Sequence, residues 1–198
     1  MSNPLHPSVR AAFAGFTEPL EGRVRWIYLD ILGLPTTGRG NLLRSVESAL
    51  VLPWLREDGT PATHDEIRAE WQRVKDAAWL AEAGHLAAER LCKLHLSDEA
   101  IDRLTVARLS DNAQAFAHGM PGFANWPAAA QLGAMSMCWA AGTDGVLRGF
   151  PRCCAAMARR DFAGAAAECT LREAGNLGLR PRNEANRNLF LAAQHQAD

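Results

Sequence analysis

The chain has 198 residues, is 48% hydrophobic and carries a formal net charge of −1. That composition excludes a disordered chain and supplies one compact domain with a real core, in one lobe or two. Near-neutrality excludes non-specific nucleic-acid binding as the main activity, and no apolar run approaches the roughly 20 residues of a membrane span.

Residues 1–10 hold no basic stretch followed by an apolar one, so no secretion signal is expected. The five cysteines (Cys92, Cys138, Cys153, Cys154 and Cys169) then read as free thiols made in a reducing cytosol. None has CxxC spacing, and neither a metal site nor a cofactor is expected. The adjacent pair Cys153-Cys154 reads either as redox-active or as two small buried helix residues.

Val9, Ala12, Phe13 and Phe16 lie at helical spacing, which predicts a helix over about 6–18 closed by Pro19. Val24 to Leu29 is rich in β-branched and aromatic residues, and Gly33, Pro35, Gly38 and Gly40 punctuate the stretch after it. A small antiparallel sheet built on hairpins is predicted over about 24–43. Residues 44–62 read as irregular, with turns at Pro53, Asp58-Gly59 and Pro61.

Thr63-His64-Asp65-Glu66 is a capping box that opens a helix to about 82. A second helix is predicted over about 84–94. Ser97-Asp98-Glu99 caps another over about 98–117. After the break at Pro121-Gly122, Asn125 is the expected cap of a helix over about 126–141, apolar nearly all round and therefore central and buried. Residues 142–149 read as a loop, and helices follow at about 150–159, 161–173 and 183–194. The order of elements gives an α+β fold with its sheet near the N-terminus.

The segment Glu21 to Leu42 carries the chemistry. Glu21 stands where the chain leaves the first helix, Asp30 at the end of the first strand and Thr36 on the returning one. A hairpin brings residues on either side of its turn together. Glycoside hydrolysis needs one carboxylic acid to protonate the leaving oxygen and a second carboxylate across the scissile bond. The acid works best with a raised pKa from a partly apolar setting. Where a water must fit between carboxylate and sugar, the two carboxyls stand roughly 6.5–9.5 Å apart and the anomeric centre inverts. A hydroxyl such as that of Thr36 helps hold that water.

Glutamate, eight residues, aspartate, five residues, threonine: this pattern resembles the catalytic signature of phage-type lysozymes, glycoside hydrolase family 24. Gly22, Tyr28, Gly33, Gly38, Gly40 and Leu42 stand where that family has the same residues. Ala134 to Gly142 resembles its central helix, Phe150 with Asp161-Phe162 and Ala165-Ala166 the helical pair next in order, and Gly178 to Ala185 the start of its Arg-rich last helix. The likeness covers about 7–43 and 97–190. It implies a lysozyme-like α+β fold in a single domain: a helix and β-lobe over about 6–43, an insertion of loop and helices over about 44–95, and a helical lobe over about 97–195.

It also implies an N-acetylmuramidase acting on the glycan strands of peptidoglycan. Glu21 is the general acid, and Asp30 with Thr36 positions the water. Arg182, Arg187, Tyr28 and Asn41 are the expected substrate-binding residues. The family has His where this chain has Asn41, and residues 44–95 have no counterpart in its compact members.

Around this signature, Trp26 and Tyr28 read as sugar-stacking or sheet-packing side chains, and Trp54 and Trp126 as glycan platforms or core. His64, His85, His95 and His118 read as surface residues. Between 148 and 187 stand eight arginines and four acids, either a surface for an anionic polymer or an ordinary solvated helical face. A non-catalytic wall-binding protein on the same scaffold is the alternative from another class, and a chitin-like polymer the alternative substrate. The expected state is a monomer without stable membrane insertion. Delivery to the wall is by a holin, as an endolysin, or by a secretion machine, as an effector with a cognate immunity protein.

Overall fold

The computed structural model describes residues 3–173 and 178–197. The fold mixes many helices with a small antiparallel sheet, an α+β arrangement. The chain divides into two compact units, one of residues 1–20 and 106–198, the other of Glu21–Thr105.

The first unit is helical. Helix α1 (Pro7–Glu21) runs past Pro19 instead of stopping there. Proline in the last turn forfeits a single bond to the Gly15 carbonyl, and the helix ends where Gly22 takes a left-handed φ of 71°. Helix α6 (Asp98–Gly119) belongs to this unit from Val106 onward; its start lies in the other unit, at the cap read from sequence, where Ser97 Oγ accepts the Ala100 N–H at 3.2 Å. The central helix is α7 (Ala128–Ala141), buried on nearly every side. Its cap is Pro127 rather than Asn125, which lies in a 3₁₀ turn (Phe123–Asn125). Gly133 lets the Phe190 ring approach: a Cβ there would stand 3.3 Å from Phe190 Cζ.

The segment 142–149, read as a loop for its glycines, forms α8 (Thr143–Gly149), with Asp144 in its first turn and Val146 buried. Helices α9 (Pro151–Ala158) and α10 (Phe162–Glu168) come next, the latter capped by Asp161, whose carboxylate accepts the Gly164 N–H at 2.7 Å. Helix α11 (Leu179–Ala197) starts four residues earlier than expected, because Pro181 falls in the first turn, where an N–H has no partner to lose. It packs on α7 and α10. Phe13, Phe116, Phe123, Trp126, Trp139, Phe162 and Phe190 form the core, with Phe116 and Phe123 meeting edge-on at 5.2 Å. Trp126 is packed there and offers no glycan platform.

The second unit holds the sheet. Strands β1 (Val24–Leu29), β2 (Pro35–Gly38) and β3 (Asn41–Leu42) pair antiparallel in that order. Val24 pairs with Gly38 and Tyr28 with Thr36, so β1 carries extra residues in a bulge between them. The region read as irregular contains α2 (Val46–Leu50) and β4 (Leu55–Arg56), which pairs with β5 (Leu94–His95) in a second two-stranded sheet. The capping box forms at Thr63 and opens α3 (His64–Asp76). The helix expected to reach 82 breaks after Asp76 and resumes as α4 (Leu80–Ala83), and Gly84 (φ 81°) separates that from α5 (His85–Glu89). Ile27, Leu29, Trp54, Ile67, Trp71, Val74, Leu80, Leu96 and Ile101 make the core. Trp54 is 1% exposed, its Nε1 donating to the Ala49 carbonyl, so it too is packing rather than platform.

Among the described residues, no helix is long and apolar enough to cross a membrane.

Candidate functional site

The β1–β2 hairpin is organised by one side chain. Asp30 Oδ1 accepts the N–H groups of Leu32 and Leu34, both at 2.9 Å, and its own N–H donates to the Leu34 carbonyl at 3.0 Å. Gly33 donates to the Asp30 carbonyl at 2.9 Å and takes the left-handed φ of 72° that the tight turn needs. Thr36, paired with Tyr28 across the sheet, sends its Oγ1 proton to the same Leu34 carbonyl at 3.0 Å. The Leu34 peptide thus ties Asp30 to Thr36. Oδ1 is committed to the turn, while Oδ2 keeps its capacity to accept hydrogen bonds. Asp30 is half-buried and Thr36 is 3% exposed. Glu21, half-buried, ends α1 three residues before β1.

The sheet is braced by a charged network that sequence reasoning missed. Arg39, in the β2–β3 turn, is fully buried, and its Nη1 donates to Asp102 at 2.8 Å and to Thr105 Oγ1 at 3.0 Å. Arg23 reaches Asp102 at 3.2 Å and Asp98 at 3.3 Å, and Arg25 reaches Asp98 at 2.6 Å. Asp98 is held below its ordinary value, first by the Arg25 hydrogen bond. A lone Arg between two glycines carries no sequence signal of burial.

The remaining predicted residues fall apart by environment. Tyr28 stands edge-on to His85 at 6.1 Å, and Trp26 stacks on that ring at 6.5 Å, its Nε1 donating to the His85 carbonyl. His85 is exposed, as its reading as a surface residue expects, and its ring lies against these two strand aromatics. Asn41 is 5% exposed, in β3 opposite Thr37. Gly38 has a left-handed φ of 65°, and a Cβ there would stand 2.9 Å from Asn41 Nδ2, so a larger residue would be strained and would have to push the Asn41 amide aside. Arg187 is exposed on α11. Arg182 is 2% exposed and donates to the carbonyl and hydroxyl of Ser136 at 3.1 and 3.2 Å, so it presents almost no surface to a polymer. Among the described residues, no group of three or more His, Cys, Asp or Glu side chains could hold a metal ion.

Two cavities flank the β4–β5 sheet, and neither is lined by Glu21, Asp30 or Thr36. One, of about 420 Å³, lies against Arg25, Trp26, Cys92 and His95. The other, of about 560 Å³, is lined by Arg56, Glu66, Glu70 and Arg73 among others. Two carboxylates there are pushed in opposite directions. Arg56 grips Glu66 through two hydrogen bonds of 2.9 and 2.7 Å, and with the Thr63 N–H it holds that carboxyl down to about 2. Burial pushes Glu70 up, against the pull of the Lys93 and Leu94 N–H groups at 2.7 and 2.9 Å. Beside it, burial and then the Glu70 charge raise the Cys92 thiol to about 12. Glu70 was legible as an oddity: it stands inside the buried stripe Ile67, Trp71, Val74.

Compared with protein-family models, with curated proteins and with solved structures, the chain has no match.

Proposed function

We propose that the protein is a peptidoglycan hydrolase, an N-acetylmuramidase of the lysozyme-like α+β class that cleaves the β-1,4 glycan backbone with inversion. The observation that carries the reading is the hairpin in which the Leu34 peptide joins the Asp30 carboxylate to the Thr36 hydroxyl. An inverting hydrolase needs a carboxylate to orient and activate a water on one face of the sugar. Asp30 suits that task because its Oδ1 is fixed by two backbone N–H groups, leaving Oδ2 directed by a rigid turn. Thr36 adds a hydroxyl oxygen of fixed position, which accepts a hydrogen bond from the same water.

Glu21 supplies the proton to the departing glycosidic oxygen, so the bond to the anomeric carbon breaks as the water adds from the opposite face. The spacing of Glu21, Asp30 and Thr36, with Gly22, Gly33, Gly38 and Gly40 in register, supports assigning the three roles together. Glycan strands are the expected partner, with delivery by a holin or a secretion machine and, in the second case, an immunity protein.

The test is digestion of purified sacculi. New reducing ends with muramic acid at the cut, and a product of inverted anomeric configuration by NMR, are expected from the wild type. Glu21→Gln is expected to bind wall and release nothing while keeping the native circular dichroism spectrum. Wall binding without new reducing ends in the wild type would favour the non-catalytic alternative, and product mass spectrometry on chitin would expose a change of substrate.

A further inference from the structure

Four of the cysteines belong to the helical unit, and the chemistry proposed above uses none of them. Cys153 and Cys154 are neighbours on α9, and successive side chains on a helix point about 100° apart. Their thiols accordingly turn to different partners. Cys154 Sγ donates to the Val146 carbonyl of α8 at 3.6 Å, whereas Cys153 Sγ donates to the Ala165 carbonyl of α10, also at 3.6 Å. Cys169, the residue that ends α10, donates to the carbonyl of Ala166 at 3.4 Å. Two thiols from separate points of the chain thus cap consecutive carbonyls in the last turn of one helix. Both residues are buried, 0% and 1% exposed.

We propose that Cys153 and Cys169, rather than the adjacent pair, form a reversible disulfide that staples α9 to the end of α10 when the protein meets an oxidised low-molecular-weight disulfide. The Cys153 thiol loses its proton and its thiolate attacks one sulfur of the external disulfide, releasing a thiolate and leaving a mixed disulfide on Cys153. The Cys169 thiolate then attacks Cys153 Sγ and expels the second external thiolate. Two protein thiols are oxidised, one external disulfide is reduced to two thiols, and no other reagent is needed.

Burial pushes both thiols up, Cys153 to about 12 with the Cys169 charge as the next cause, so the bridge forms slowly at neutral pH and faster in alkali. Burial also makes the first attack wait on local opening of the helix end. Once made, the bridge closes a short loop of chain, which narrows the unfolded ensemble and stabilises the unit.

The experiment is prolonged incubation of the full chain with glutathione disulfide at mildly alkaline pH, followed by alkylation and peptide mapping. A cross-linked peptide containing Cys153 and Cys169, lighter than its parts by about 2 Da, is expected. The oxidised protein should melt higher than the reduced one, and dithiothreitol should reverse both changes. Cys169→Ser and Cys153→Ala are each expected to abolish the bridge, and Cys154→Ser to leave it. Five persistent free thiols in the native wild type, a bridge mapped to any other pair, a glutathione adduct that never resolves, or a lower melting temperature on oxidation would each overturn the proposal. Mapping the wild type keeps the test decisive even where a variant fails to fold.

Discussion

The two units solve opposite problems. The helical unit turns its large apolar side chains inward, and of the exposed large hydrophobics among the described residues only Leu191 belongs to it. The sheet-containing unit leaves Ile31, Leu32, Leu34, Val51, Trp79 and Leu86 in solvent. Ion pairs divide the same way: short pairs at Arg25–Asp98, Arg39–Asp102 and Arg56–Glu66 in the sheet unit, against long exposed pairs such as Arg159–Asp161 at 3.9 Å in the helical one. One unit is held by packing. The other adds hydrogen bonds and charge to a smaller core, and leaves part of its apolar surface exposed. The contrast teaches where mutations should cost stability and where they should cost activity.

The sharpest test of that division is Glu21→Gln. It should lower wall lysis by about 10²–10⁴-fold with a far smaller change in unfolding midpoint than a core truncation gives, as read by turbidity loss and urea denaturation. Equal losses of both would break the comparison. In the helical unit, Phe116→Ala should do the reverse. It removes a ring packed on Phe123 and Trp126 and should cost about 3–5 kcal/mol of stability in urea, while the activity per folded molecule stays the same.

Arg39→Met sits between the two. It strips Asp102 and Thr105 of a buried partner. Because Asp102 is about half exposed (46%), the loss should be at the low end for a broken ion pair, ~3 kcal/mol. Glu70→Gln leaves one of the Lys93 and Leu94 N–H groups without its carboxylate and should cost about 1–3 kcal/mol.

The same carboxylates set the pH response. Glu66, held down to about 2, stabilises the fold above its ordinary value of 4.5, and that contribution is lost as pH falls toward 2. Glu70 is raised, so its contribution has the opposite sign: it is present below 4.5 and lost as pH climbs through the folded value. Melting temperature against pH should therefore fall less steeply in acid for Glu66→Gln than for the wild type, and parallel curves would refute the assignment. The smallest effect is expected for Trp79→Ser, a 59% exposed side chain, which should shift stability by no more than about 0.5 kcal/mol.

Much of the framework was legible one residue at a time, because local rules act on neighbours. The Thr63-Glu66 capping box, the Ser97 and Asp161 caps, the β-branched run of β1, the glycine at the Asp30 turn and the all-apolar α7 each follow from a few adjacent side chains. Errors gathered where a local signal met a local exception. Pro19 and Pro181 sit in terminal turns that tolerate proline, and the glycines of 142–149 are absorbed into α8. The β4–β5 sheet joins segments about 40 residues apart, a pairing that no short window contains.

The amino-acid order by itself placed Asp30 and Thr36 on one hairpin, since a six-residue spacing across a glycine turn leaves them few other places to be. Only the tertiary structure decided which polar groups are buried. Arg39 and Arg182 look in sequence like any other charged residue, Glu70 shows only as a charge within an apolar stripe, with no sign of its partners, and Cys153 looks like the natural partner of Cys154. The reason is physical: burial and partnership are set by what lies opposite in space, at Asp102, Lys93, Ser136 and the end of α10, and a linear sequence records only what lies beside.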